Sequence, residues 1–382
     1  MTRVSTFLSW LSAALLSGFN GSDHTCSEII LRVAATSQNV IFAKQPDPTN
    51  EQANLDFVAD LWKGSPPELA GTTEVTGNFT LSATYCLPKS LPNPPTLQIL
   101  VHGITYNKTI WSGLGFSPEK YNWHNHANTR GYATLAIDRL GHGLSSSPDL
   151  DPLLTIQPQL HLEILHQIIS GARSGGLHVS LGKKFNRIIF TGHSYGSLLG
   201  AATANKYPLD IDALVLTGFS TSPNFATVAG AKWRSAPAIE PLRFGHRGHG
   251  HITMSDETER TDSSYGGRYD RAIAAADFKY GDTVTTGEFG AMFTMLTPAA
   301  GYKGPVLVVT GVDDKANCAT PAEKCREILR KTGDEFFPNV RDYEFIAPQE
   351  TGHNWMVHES AGATAGRVHD WLDRRVRGKV EL

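Results

Sequence analysis

The stretch FTGHSYGSLLG, residues 190–200, constrains this chain more than any other part of it. An apolar run, RIIF, leads into Ser194, which stands between Gly192 and Gly196, and the small-residue run LLGAATA follows. A short apolar run bounded by glycine predicts a buried strand, and the stretch after it predicts a helix, so Ser194 occupies the turn between them. A turn that sharp strains the serine backbone, and a side chain at either flanking position would collide with neighbouring backbone. It lifts the hydroxyl above the sheet and points helix N-terminal amides at whatever reacts there, which favours a developing negative charge. The competing reading is a plain structural turn.

The same rhythm recurs. LQILVHG (97–103), YATLAID (132–138), RIIFTG (187–192), DALVLTG (212–218), PVLVVTG (305–311) and RDYEFIA (341–347) predict strands. Helical spacing or composition predicts helices over 117–130, 155–173, 194–208, 320–331 and 362–377. Strands alternating with helices imply parallel βαβ units with right-handed crossovers, and ligands bind at the carboxyl ends of such strands. EVTGNFTLSATYCLP (74–88) alternates apolar and polar residues, as a strand at a sheet edge does, whereas residues 27–70 show patches without an assignable order. Residues 219–300, rich in Ser, Thr, Gly, Arg and His, break the rhythm and read as an insertion with a helix-like patch near Tyr269 to Phe278. The expected division is therefore a leader (1–20), a core in two parts (21–218 and 301–382) and the insertion between them.

A serine is a weak nucleophile until a base takes its proton, and the base needs an acid to fix its tautomer. After PVLVVTG the chain reads VDDKANC, and after RDYEFIA it reads PQETGHNWMVH. The spacing strand-G-x-x-D favours Asp314 over its neighbour Asp313 as the acid. His353 follows Gly352 directly beyond the last strand and is favoured as the base over His358. The amides of Ile104, after His102-Gly103, and of Tyr195, after the serine, are the expected donors to an oxyanion. Thr105 is expected to be structural.

LVHGI (100–104), DRLGHGLS (138–145), GHSYG (192–196), VLVVTGVDD (306–314) and TGH (351–353), in this order, resemble the α/β-hydrolase family over roughly residues 75–375 apart from the insertion. The resemblance implies an α/β fold: a mostly parallel doubly wound sheet with a helical or irregular cap inserted after DALVLTG. It also implies the catalytic set Ser194, Asp314 and His353, no cofactor and no metal. The stretch like DRLGHGLS is a structural loop near the site in the family, so Asp138 and His142 receive no catalytic role. Relatives that open epoxides or remove halides carry aspartate at the elbow, and the HGGG-type oxyanion loop is missing here.

The N-terminus, MTRVSTFLSWLSAALLSG, has one arginine, a short apolar segment and then small residues, as a secretory signal peptide does. Asn20, Asn78 and Asn107 begin N-x-[ST] triplets, which accept glycans only in the secretory path. Four cysteines suit two disulfides in an oxidising compartment. Cys318 and Cys325 flank a short loop and are expected to pair, leaving Cys26 with Cys86. The leader and cysteines resemble those of fungal secreted hydrolases. A net charge of −3 without a basic stretch speaks against nucleic acid, and no apolar run reaches the ~18 residues that span a bilayer. His246, His249 and His251 form a cluster expected to be a solvated loop rather than a metal site. Trp111, Trp123 and Trp233 are expected in packing, and Trp355 near the mouth of the site.

The sequence thus predicts a secreted serine hydrolase that cleaves an ester, lactone or thioester of a small molecule through an acyl-enzyme. A biosynthetic hydrolase or cyclase of narrow specificity, a lyase using the same residues, and a non-catalytic binding protein of the same fold are the alternatives.

Overall fold

The computed structural model describes residues 24–61, 67–147, 151–224, 231–318 and 321–378. The proposed leader and the Asn20 triplet lie outside the described residues. The apolar runs form the centre of an eight-stranded sheet. Its strands are β1 (His24–Phe42), β2 (Leu69–Pro88), β3 (Thr96–Val101), β4 (Ala133–Ile137), β5 (Arg187–His193), β6 (Ala213–Thr217), β10 (Val306–Val309) and β11 (Tyr343–Ile346), in the order β1-β2-β4-β3-β5-β6-β10-β11. From β4 to β11 every pairing is parallel, while β1 and β2 are antiparallel. Every residue of β3, β4 and β6 is buried, as strands covered by helices on both faces must be.

The chain runs from β3 outward to β4 and then returns to the other side of β3 as β5. This reversal opens a crevice above the carboxyl ends of β3 and β5. The serine stretch ends β5, so the switch point and the elbow coincide.

Residues 27–70, without assignable order in the sequence, hold the rest of β1, the helix Glu51–Leu61 and the start of β2. The period-two signal of β1 is present in Ile29, Leu31, Val33 and Ala35, all buried, but outward Ile30 interrupts it. Only Ala83 to Cys86 of β2 continue the sheet to β4. Farther along the hairpin, β1 packs on the helix Pro158–Ser174, and Gln157 replaces the missing strand partner: its Oε1 accepts from the Val40 N–H at 2.8 Å and its Nε2 donates to the Val40 carbonyl at 2.9 Å. Pro158 at the first turn and Gly175, left-handed at the end, bound that helix. The helix expected over 117–130 begins only at Trp123, where the Asn122 side chain caps it. The one expected over 320–331 runs from Ala322 to Phe336.

Between β6 and β10 lies the insertion. It carries short helices, among them Arg271–Tyr280 and Thr286–Ala291, and it adds an antiparallel sheet of β7 (Trp233–Ser235), β8 (His251–Met254) and β9 (Val284–Thr285). Strands of two to four residues and helices of one or two turns show no clear period, which is why only the helix Arg271–Tyr280 was legible there.

Two sequence expectations fail here. The histidine cluster is not a solvated loop: His246 is exposed, but His251 lies on β8 and is fully buried. The segment is drawn inward by Arg247, whose guanidinium meets buried Asp282 at 3.0 Å. Trp355 is not at a mouth but 1% exposed, packed edge-on against Trp123, which packs in turn on Trp111. Its step along the chain from His353 turns it into the layer beneath the site. Both disulfides form as expected, Cys26–Cys86 joining β1 to β2 and Cys318–Cys325 closing a short loop. Among the described residues no helix is long and apolar enough to cross a membrane.

Candidate active site

Ser194 has φ +54° and ψ −118°, a conformation that side chains rarely adopt. The neighbourhood enforces it. A Cβ on Gly192 would strike the Gly196 carbonyl, and one on Gly196 would strike the Val101 carbonyl of β3. The Ser194 N–H donates to the Thr217 carbonyl at 2.8 Å, tying the elbow to β6. Its hydroxyl makes no hydrogen bond among the described residues.

Asp314 follows β10 and His353 follows β11, both at the carboxyl end of the sheet. Asp314 Oδ2 lies 2.8 Å from His353 Nδ1, whereas no such contact joins His353 to Asp313. Asp314 also accepts from the Ala316 and Asn317 amides at 2.9 and 3.0 Å. Burial opposes its ionisation, but the His353 charge and these hydrogen bonds outweigh that and hold its carboxyl below the usual carboxylate range. Burial likewise disfavours the His353 cation, yet Asp314, with a smaller contribution from Asp277, holds the imidazole above its ordinary value. Asn317 Nδ2 donates to the Gly218 carbonyl at 2.9 Å and sits beside the pair. His358, the other candidate base, is buried and committed elsewhere: its Nε2 accepts from the Gly352 N–H at 3.0 Å and its Nδ1 donates to the Asn354 carbonyl at 2.8 Å.

His193, inside the serine motif, was not singled out from sequence. Its ring lies 4.9 Å from that of His353, and burial, with the His353 charge, drops its pKa to about 3, so it stays neutral. It bonds Asn354 Oδ1 at 3.1 Å, and Asn354 Nδ2 donates to Asp277 at 2.9 Å. Asp277 pairs with buried Arg260 at 2.6 Å and accepts from the Tyr106 and Tyr265 hydroxyls at 2.8 and 2.9 Å. Asn354 was within reach of the sequence, being next to His353. Asp277 and Arg260 carry no local signal, because they come from the insertion and meet the site only through tertiary contact.

Ile104 and Tyr195 both line the space above Ser194. The Ile104 N–H has no partner among the described residues, and Tyr195 is the first residue of its helix, where N–H groups have no partner within the helix. Gly103 presses close, for a Cβ there would lie 2.9 Å from Ser194 Cβ. Thr105 is structural: its N–H donates to the Thr283 carbonyl at 2.9 Å and its own carbonyl accepts from the Asp282 N–H at 2.8 Å, which stitches the loop after β3 to the insertion. Asp138 is held by Lys108 at 2.8 Å and His142 by Glu288, as expected of residues that brace a loop. The cavity over the serine, of about 60 Å³ and open to solvent on one side, is bordered by Leu198, Phe219, Pro223 and Met292.

The sequence matches the profile of the alpha/beta hydrolase family over residues 98–367. No curated protein matches it. Among solved structures it is similar to an alpha/beta hydrolase fold protein from Chitinophaga pinensis, with 14% identity, 78% of this chain and 94% of that one covered, and a TM-score of 0.50. It is similar as well to an epoxide hydrolase from Vigna radiata, with 13% identity, 78% and 95% coverage, and a TM-score of 0.50. At such identities the likeness is one of fold.

Proposed function

Because this chain belongs to the alpha/beta hydrolase family, we propose that it is a serine hydrolase of small carboxylic esters, lactones or thioesters, with Ser194 as nucleophile, His353 as base and Asp314 as its orienting acid. The observation that carries this reading is the Asp314–His353 hydrogen bond at the same end of the sheet as the strained Ser194 elbow. Ser194 Oγ attacks the carbonyl carbon as its proton passes to His353 Nε2. The oxyanion accepts hydrogen bonds from the Ile104 and Tyr195 amides. Collapse expels the alkoxide or thiolate, which takes the proton from His353 and leaves an acyl-serine. Water, deprotonated by the same imidazole, attacks that ester, and the acid departs with Ser194 restored.

Serine chemistry favours an acyl centre over an epoxide. A serine opening an epoxide would leave an ether, which water cannot cleave, whereas an acyl-serine is an ester. The apolar side chains of Ile104, Leu198, Phe219 and Met292 around the cavity favour an apolar acyl group. The leader sequence and the two disulfides support a secretory route.

Intact mass after incubation with a fluorophosphonate tests the reading. One adduct on the wild type and none on Ser194→Ala is expected. An unlabelled, correctly folded wild type would sink it.

A further inference from the structure

The DRLGHGLS loop holds a residue for which the reaction has so far had no use. Arg139 is 2% exposed, and its guanidinium lies under the loop that follows β3. Nε donates to the His102 carbonyl at 3.1 Å and the far Nη donates to the Gly103 carbonyl at 3.0 Å. The other Nη meets Glu288, which is fully buried in the insertion helix Thr286–Ala291. The cation also lies 4.6 Å from the centre of the Tyr195 ring.

His102 completes the arrangement. Its Nε2 accepts from the Arg139 backbone N–H at 3.0 Å, so the proton of this neutral ring sits on Nδ1, which donates to the Gly103 carbonyl at 2.8 Å. Burial, then the nearby Arg139 charge, keep the imidazole from ionising. The Gly103 carbonyl therefore accepts two hydrogen bonds, one of them from a cation.

That carbonyl belongs to the same peptide unit as the Ile104 N–H. In a planar trans amide the N–H points opposite to the C=O, so fixing one fixes the other. Hydrogen bonds to the oxygen also draw electron density from nitrogen and strengthen the N–H as a donor. We propose that Arg139, held by Glu288 and assisted by His102, is a positioning residue that aims and polarises the Gly103–Ile104 peptide as an oxyanion donor, so that the insertion tunes the site through a buried ion pair. The proposal rests on the serine hydrolase reading.

The sequence contains one Gly-Ile pair, Gly103–Ile104. Protein labelled with carbonyl-13C glycine and 15N isoleucine therefore gives one carbonyl–amide correlation from this peptide. In the wild type the Gly103 carbonyl carbon and the Ile104 amide nitrogen are expected downfield of their random-coil positions. Arg139→Met should move both upfield, with Arg139→Lys and Glu288→Gln in between. The rate of fluorophosphonate labelling should fall in the same order, by about tenfold in Arg139→Met, less than the ~10²–10³-fold typical of deleting a donor outright. A wild-type resonance at its random-coil position overturns the proposal, and needs no variant to fold. A folded Arg139→Met with unshifted resonance or with wild-type labelling rate overturns it too. A downfield resonance in a wild-type protein that takes no label at Ser194 would instead remove the hydrolase reading, and the oxyanion role with it, while leaving the polarised peptide in place.

Discussion

His353 Nδ1 and Asp314 Oδ2 lie 2.8 Å apart, and each moves the other's ionisation: the imidazole is held above its ordinary 6.5 and the carboxyl below its ordinary 3.8. For the histidine, the stabilising effect is complete below the unfolded pKa and is lost as pH rises through the folded one. For the aspartate, it is complete above the unfolded pKa and is lost as pH falls through the folded one. The pair thus stabilises the fold most between about pH 4 and 6.5. Catalysis needs the neutral imidazole, so kcat/KM should rise with pH through a midpoint above 6.5. In Asp314→Asn that midpoint should drop, and kcat should fall by about 10³–10⁴-fold. A pH–rate profile whose midpoint stays put in the variant would rule out the assignment of Asp314.

The strain at Ser194 should be measurable as stability. A residue other than glycine at φ +54° costs on the order of 1–3 kcal/mol. Ser194→Gly should therefore unfold at higher urea than Ser194→Ala by about 1 kcal/mol, although neither takes the fluorophosphonate. Equal midpoints would mean that the elbow is not strained.

The two disulfides should differ in worth. Cys26 and Cys86 are 60 residues apart and Cys318 and Cys325 only 7. Chain-entropy arguments give about 4 kcal/mol for the first and about 2 kcal/mol for the second. Cys26→Ala/Cys86→Ala should thus lower stability more, by denaturant titration. The second pair follows Asn317 directly and its Cys318 N–H bonds the Asp314 carbonyl at 2.8 Å. Its loss should therefore slow labelling of Ser194 more than loss of the first.

The two described glycosylation triplets are not equivalent. Asn78 is exposed on β2. Asn107 is committed: Oδ1 accepts from the Thr109 N–H at 3.0 Å as a helix cap, and Nδ2 donates to buried Asp282 at 3.2 Å. A glycan on Nδ2 would displace that contact. Peptide mapping of protein made through a secretory pathway should find sugar on Asn78 and an unmodified Asn107. Full occupancy of Asn107 would contradict the geometry.

Much of this protein was legible without its fold. The strands β3 to β6, β10 and β11, the glycines around Ser194 and the places of Asp314 and His353 beyond their strands follow from local pattern, because a parallel strand inside a sheet and a sharp turn each demand particular residues within a few positions. The long β1 was legible only in part, since outward Ile30 breaks its alternation. What joins the site together belongs to tertiary structure. The spacing favoured Asp314 over Asp313, but which of two adjacent side chains points at His353 was decided by the fold. Trp355 went beneath the site and His251 into a small sheet for the same reason. Glu288, Asp277 and Arg260 carry no local mark at all, and Arg139, though inside DRLGHGLS, none for its role: their charges are stable in the interior only because partners more than a hundred residues away, or across the insertion, arrive to pair with them. A sequence announces the residues a turn or strand requires of itself; it does not announce the partners that a buried charge finds once the chain has closed around it.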